Sequence, residues 1–121
     1  MKTILVIDDE EQLRTDLIDI LGFEGYQTIG AENGHEGVQA AQDHQPDLII
    51  CDISMPVMDG FAVLNALCQD SQTSTIPVIL LSAHHDPVTV QKGAQLGAVD
   101  HLPKPYYLND LLAAVRVQLG E

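Results

Sequence analysis

Basic residues are scarce in this sequence: five Lys and Arg stand against eighteen Asp and Glu, for a formal net charge of -13. A field of that sign opposes nucleic acid phosphates, so direct DNA or RNA binding is not expected and a basic protein partner fits better. Long apolar runs are also missing. The longest stretches fall far short of the roughly 20 residues of a membrane-spanning helix, and Met1-Lys2 leads straight into a strand-like run without a signal-peptide pattern. A soluble, cytoplasmic chain with no membrane contact is therefore expected. Cysteine is limited to Cys51 and Cys68, which lack metal-ligand spacing; both are expected to be free buried thiols, Cys51 closing an apolar run. No repeat, linker or low-complexity tract interrupts the chain. Residues 1-121 are read as one domain, long enough to bury a core without disulfides or a structural metal.

Against those absences stands a regular alternation. Short apolar runs, Ile4-Leu5-Val6-Ile7, Tyr26-Gln27-Thr28-Ile29, Leu48-Ile49-Ile50-Cys51 and Val78-Ile79-Leu80-Leu81, are separated by segments with helical spacing, and His101-Leu102-Pro103 supplies a fifth strand. This βαβα pattern specifies an α/β fold, a doubly wound parallel sheet with helices on both faces. Leu13, Leu17, Ile18 and Leu21 mark the first helix, which Gly22 or Gly25 can end; the second starts at Asn33-Gly34 and stops before Pro46. Asp59 reads as the N-cap of a third helix carrying Phe61, Leu64 and Leu67. Strand four opens at Ile76-Pro77, helix four spans about Pro87 to Leu96 with Gly97 closing it, and Leu108, Leu111, Leu112, Val115 and Leu119 form the last apolar stripe.

The runs end on polar groups. Asp8-Asp9 follows the first, Asp52 the third, Ser82 the fourth and Lys104 the fifth. In a sheet of order 2-1-3-4-5 these groups meet outside the carboxyl ends of the strands, where open α/β sheets bind ligands. Three converging carboxylates favour protonation or a divalent cation. Oxygen donors without imidazole or thiolate favour Mg²⁺ or Mn²⁺ over zinc, and Mg²⁺ shares its shell readily with phosphate oxygens. Lys104 must cross strand four to reach Asp52, roughly 9 to 10 Å at ordinary strand spacing, which only a long side chain spans. A carboxylate, a metal, a hydroxyl and an ammonium together suit phosphoryl transfer, with Asp52 as the nucleophile that forms an acyl phosphate.

The sequence resembles the receiver domain of two-component response regulators over essentially its whole length. The resemblance rests on Ile7-Asp8-Asp9-Glu10, on Asp52-Ile53-Ser54-Met55-Pro56-Val57-Met58-Asp59-Gly60, on Ser82-Ala83 and on Lys104-Pro105-Tyr106. Their separations agree as well: 43 positions from Asp9 to Asp52, 30 to Ser82 and 22 to Lys104. It implies a flavodoxin-like fold with five strands and five helices, and a phosphorylation-controlled switch rather than an enzyme with an external substrate. Asp52 is then the phosphoacceptor, served by a sensor histidine kinase or a histidine phosphotransfer protein. Asp8, Asp9, Asp52 and the Ser54 carbonyl hold Mg²⁺, Lys104 and Ser82 assist the chemistry, and the Lys104-Pro105 peptide is cis. A downstream effector protein or domain reads the output face formed by helix four, strand five and helix five.

The chain departs from that pattern in places: the switch hydroxyl is Ser82 where Thr is commoner, which keeps the donor and loses a methyl, and Tyr or Phe usually stands three residues before the lysine, where this chain has His101. One reading makes His101 a smaller switch element, partner to Ser82, with a charge that varies near neutral pH; the other makes it a surface-edge histidine without a signalling role. His84 and Ser54, each two positions beyond a functional residue, are the positions that tune phosphoryl hydrolysis in the family. His84 and His85 are adjacent on a loop, a poor geometry for binding one metal ion, so solvent exposure is expected of them. Two other functions share features of the site. A Mg²⁺-dependent phosphatase working through an aspartyl phosphate uses the same nucleophile, but Ser54 stands where its general acid is needed. An acidic flavodoxin-type electron carrier needs a phosphate cradle that Asp8-Asp9-Glu10 cannot supply.

Overall fold

The computed structural model describes all 121 residues. Ten elements alternate strictly: β1 (Thr3–Ile7), α1 (Glu11–Phe23), β2 (Gln27–Ala31), α2 (Gly34–His44), β3 (Leu48–Asp52), α3 (Gly60–Gln69), β4 (Val78–Ser82), α4 (Pro87–Gln95), β5 (Asp100–Pro103) and α5 (Leu108–Leu119). The strands form one parallel sheet in the order β2-β1-β3-β4-β5, the expected doubly wound arrangement. Side chains of a strand alternate between faces, so each strand feeds two cores. Ile4, Val6, Ile50, Ile79 and Leu81 pack with α1 and α5. Leu5, Ile7, Ile49, Cys51 and Leu80 face the opposite side, with Val63, Leu64 and Leu67 of α3.

Local chemistry sets the helix starts. Asn33, Asp59 and Asp86 each accept a backbone N–H three residues on, from Glu36, Ala62 and Thr89 at 2.8, 2.9 and 2.8 Å. Gly25 and Gly97 take φ of +98° and +107°, past the ends of α1 and α4, so Gly22 lies inside α1 rather than ending it.

Several sequence expectations shift. β2 begins at Gln27, because the Tyr26 N–H bonds to the Leu21 carbonyl and belongs to the turn. β4 begins at Val78: Pro77 has no N–H to give a ladder, and the Ile76 N–H is taken by the Thr73 carbonyl. Cys68 is exposed rather than buried, since it is rotated about 100° around α3 from Leu67, which takes the core position. Leu13 and Leu108 lie 39% and 46% exposed. Each begins an apolar stripe at the end of a helix nearest the carboxyl edge, beyond the reach of the core.

Candidate functional site

All four polar strand ends arrive at the same edge. The Asp8 N–H bonds to the Ala31 carbonyl, Ile53 N–H to Leu81, and Lys104 N–H to Ser82, so the ladder runs one residue beyond the strands and pins the backbone on either side of the site. Asp8 and Asp52 are buried, 4% and 3% exposed, while Asp9 stands in solvent. One carboxylate oxygen from each of Asp8, Asp9 and Asp52 lies within 4.8 Å of the other two. Lys104 crosses strand four as its length requires. Its Nζ is 3.2 Å from Asp8 Oδ2 and 3.4 Å from Asp52 Oδ1, and the Lys104-Pro105 peptide is cis.

The β3–α3 loop holds Asp52 from the other side. Gly60, the first residue of α3, sits so close that a Cβ there would come within 2.6 Å of the Asp52 carbonyl oxygen and 2.7 Å of Ile53 Cα. No larger residue fits without moving backbone. Met58 in the same loop packs on Gly34 at the start of α2, where a Cβ would meet its side chain at 2.8 Å. Val57 at the loop tip is 97% exposed and has φ of +68°.

Burial pushes the Asp52 carboxyl up to about 6, with the Asp8 charge adding to the rise and Lys104 opposing it. Burial alone disfavours the Lys104 ammonium, but Asp52 and Asp8 outweigh it and hold its pKa above the ordinary lysine value. The two shifts are the two halves of one interaction: a carboxylate that dehydration works against, kept ionised by the cation beside it. One ammonium facing three carboxylates leaves the cluster short of positive charge. Its donors are all oxygen, which suits Mg²⁺ at this position.

Ser54 lines the same cleft as Asp8, Asp52 and Lys104, a space of about 480 Å³ that continues between Leu13 of α1 and Tyr106. The exposure of Leu13 thus has a location: it forms an apolar wall beside the acidic cluster. Arg14, which sequence reasoning passed over, donates from a guanidinium nitrogen to the Asp8 carbonyl at 2.9 Å. Its position on the first turn and a half of α1, in a chain with so few cations, was the available signal.

Ser82 is buried but turned away from the acids. Its Oγ accepts the His84 N–H at 2.8 Å and donates to the His84 carbonyl at 2.9 Å. The His84 side chain is exposed, as is that of His85. His101 does not join the acidic cluster. It is 8% exposed, buried rather than at the surface edge, and neither ring nitrogen has a hydrogen-bond partner.

Comparison with known proteins agrees with this geometry. The model of the response regulator receiver domain matches residues 4–116. Protein PilH of Pseudomonas aeruginosa is 35% identical over 120 residues, covering 99% of both chains. The transcriptional regulatory protein PdtaR of Mycobacterium tuberculosis is 33% identical over 120 residues, 98% of this chain but 57% of that protein; the chain spans about half the length of several curated relatives it matches. Among solved structures, the chemotaxis protein CheY4 of Vibrio cholerae superposes with a TM-score of 0.91 at 33% identity, covering 96% of this chain and 97% of that one.

Proposed function

This chain belongs to the response regulator receiver domain family of two-component signalling, and from that premise we propose that residues 1-121 form a Mg²⁺-dependent phosphoacceptor switch. Asp52 attacks the phosphorus of a phosphohistidine on a sensor kinase or a histidine phosphotransfer protein. An Oδ–P bond forms, the P–N bond breaks, and the imidazole leaves with the electron pair. The observation that carries the reading is the Lys104 ammonium held at 3.4 Å from the Asp52 carboxylate inside an open cleft.

Each residue has a task in that transfer. Lys104 keeps Asp52 ionised for attack, then offers its charge to the phosphoryl oxygens. Asp8, Asp9, Asp52 and the Ser54 carbonyl would hold Mg²⁺, which when bound supplies charge neutralisation to the cluster and the transferred group. Ser82 gives up its bonds to His84 and donates to a phosphoryl oxygen, and the β4–α4 loop moves with it. Phosphorylation adds roughly -1.5 to -2 charges, so it biases two loop arrangements that exist beforehand. Ser54, which lines the cleft, and His84, two positions beyond Ser82, are the side chains assigned to set how easily water reaches the acyl phosphate.

The effector that reads the switch is a protein surface or domain, in keeping with the net charge of -13, and no helix is long and apolar enough to cross a membrane. We place the chain in the cytoplasm on the strength of its partner kinase chemistry. An external-substrate phosphatase is disfavoured, since Ser54 supplies no acid for a leaving group. Incubation with acetyl phosphate and Mg²⁺ tests the reading, with Asp52→Ala as control. Labelling of the parent alone is expected; equal labelling of both proteins, or of neither, overturns it.

A further inference from the structure

His101 carries the two buried side-chain polar atoms that find no partner, Nδ1 and Nε2. Burying an imidazole unpaired costs free energy, and three segments combine to impose that cost. β4 sets Leu80 beside His101 in register. α4 comes down at Gly93, where a Cβ would lie 2.9 Å from Leu80 Cδ1 and 3.8 Å from His101 Nδ1. The β4–α4 loop lays His85 edge-on to the His101 ring, centroids 5.0 Å apart and planes at 87°. His85 Nε2 also lies 2.9 Å from the His101 carbonyl, which requires the proton on that nitrogen.

The loop that bears His85 is the one that occupies Ser82. His84 holds the Ser82 hydroxyl through its N–H and carbonyl, and one residue later His85 rests on His101. A single short segment therefore has one end on the candidate site and the other on the β5 edge. The charges around the His101 ring come from its own strand and from this loop: Asp100, whose Oδ1 accepts the His101 N–H at 2.8 Å, and Asp86 and His85. β4 offers only apolar Leu80. α4 offers only Gly93, because the Lys92 ammonium lies 4.5 Å over the Phe61 ring.

We propose that His101 is a proton-operated latch on the β4–α4 loop: neutral, it seats His85 and leaves Ser82 bonded to His84, and protonated, it leaves its pocket toward Asp86 and Asp100 and releases the loop. The consequence for Ser82 rests on the receiver switching proposed above. An imidazolium has two donors and no acceptor within this pocket, so the closed arrangement excludes the charged form. Burial first, then the His85 charge, hold the His101 pKa below the ordinary histidine value, while Asp100 and Asp86 oppose them. Coupling is reciprocal. A phosphoryl group that draws Ser82 away from His84 must make His101 easier to protonate.

Histidine-ring and backbone NMR between pH 7.5 and 5 tests the latch on metal-free protein carrying Asp52→Asn, which removes the buried carboxyl raised into this range, with each of the five histidine rings assigned so that the His101 midpoint is read apart from those of His84 and His85. His101 is expected to protonate with a lowered midpoint, and the amides of residues 82–86 and Gly93 to move with that same midpoint. In the added variant His101→Phe, whose ring fills the pocket, that common transition is lost. Loop amides that ignore the His101 midpoint, or that keep the transition in His101→Phe, overturn the latch. A second arm adds beryllofluoride and Mg²⁺, a phosphoryl stand-in, to protein with Asp52 intact. The His101 midpoint is then expected to rise, and an unmoved midpoint beside shifted Asp52-loop amides overturns the coupling. No shift at Asp52 instead counts against the phosphoacceptor reading, while the metal-free titration decides the latch.

Discussion

The Lys104 ammonium stands 3.2 Å from Asp8 and 3.4 Å from Asp52, so one cation serves two buried carboxylates at the ends of neighbouring strands. β1 and β3 are neighbours in the sheet, and β5 reaches them only through this side chain across β4. The pair is therefore both an ion pair and a tie across the carboxyl edge. Its partners are mostly shielded from water, which makes it stronger than a surface pair and costlier to break from one side.

Lys104→Met keeps the stem and removes the charge. Asp52 then loses the group that opposes its burial, and the phosphoryl group loses an electrostatic partner. Labelling by acetyl phosphate is expected to slow by about 10²-fold, the usual scale for deleting one such donor. A time course of phosphorylation at fixed Mg²⁺ checks this, and a rate within threefold of the parent contradicts the role given to the lysine.

Asp52→Asn is expected to stabilise the metal-free fold at pH 7. The folded carboxyl is pushed up to about 6, above the unfolded value, so its contribution to stability is full below the unfolded pKa and is lost as pH rises through the folded one. Removing the charge recovers on the order of 1–2 kcal/mol once the open cleft is allowed for. Urea unfolding in EDTA should show that gain at pH 7 and little difference near pH 4. Added Mg²⁺ should favour the parent instead.

Gly60→Ala is expected to be among the most damaging small substitutions in the chain. The new methyl meets backbone at 2.6 and 2.7 Å, and backbone cannot swing aside as a side chain can. A loss of about 2–3 kcal/mol follows from overpacking of this kind, with phosphorylation impaired because the displaced atoms belong to Asp52 and Ile53. Chemical denaturation and acetyl phosphate labelling of the same sample give both readouts; a neutral effect on both disproves the close approach.

How much of this was legible beforehand depends on what each feature needs. Asp8, Asp52, Ser82 and Lys104 were readable because each ends an apolar run, and parallel strands carry run ends to one edge without further information. Strand order brings all four to that edge, where Lys104 meets Asp8 and Asp52 while Ser82 bonds to His84 instead. His101 was not readable in the same way: its burial comes from α4 closing down at Gly93 and from His85 on a loop, and neither leaves a periodic trace. Leu13 and Leu108 misled because a helical stripe says which face is apolar, not where along the helix the core stops. Cys68 failed for a related reason, a single step around α3 that the stripe of Val63, Leu64 and Leu67 leaves outside.

Tyr26→Phe is expected to remove part of the alkaline instability of the fold. Burial first, then the hydrogen bond to Glu121 at 2.6 Å, push the Tyr26 phenol up to about 12. The neutral phenol is the form the fold prefers, so its contribution is complete below pH 10 and is lost as pH rises from 10 through 12. Absorbance near 295 nm should show a late-ionising tyrosine in the parent that is missing in the variant, with Tyr106, also raised by burial, remaining. A titration curve unchanged by the substitution refutes the assignment.

Val57 sits at φ +68° with its side chain 97% exposed, so it bears left-handed backbone strain without a packing contact to offset it. For a β-branched residue that conformation is a true outlier, and an L-residue in it costs roughly 1–2 kcal/mol. Asn adopts it more readily. Val57→Asn is expected to raise stability by about 1 kcal/mol in urea unfolding and to leave acetyl phosphate labelling of Asp52 unchanged, since the small donor touches only the cleft. Transfer from a phosphohistidine protein is the informative contrast. That partner covers more of the surface than the cleft alone, and Val57 is the exposed apolar tip of the loop that bears Ser54. A slower transfer with unaltered small-donor labelling shows that the strained valine is retained for the partner's surface; equal rates with both donors show that the strain serves no docking contact.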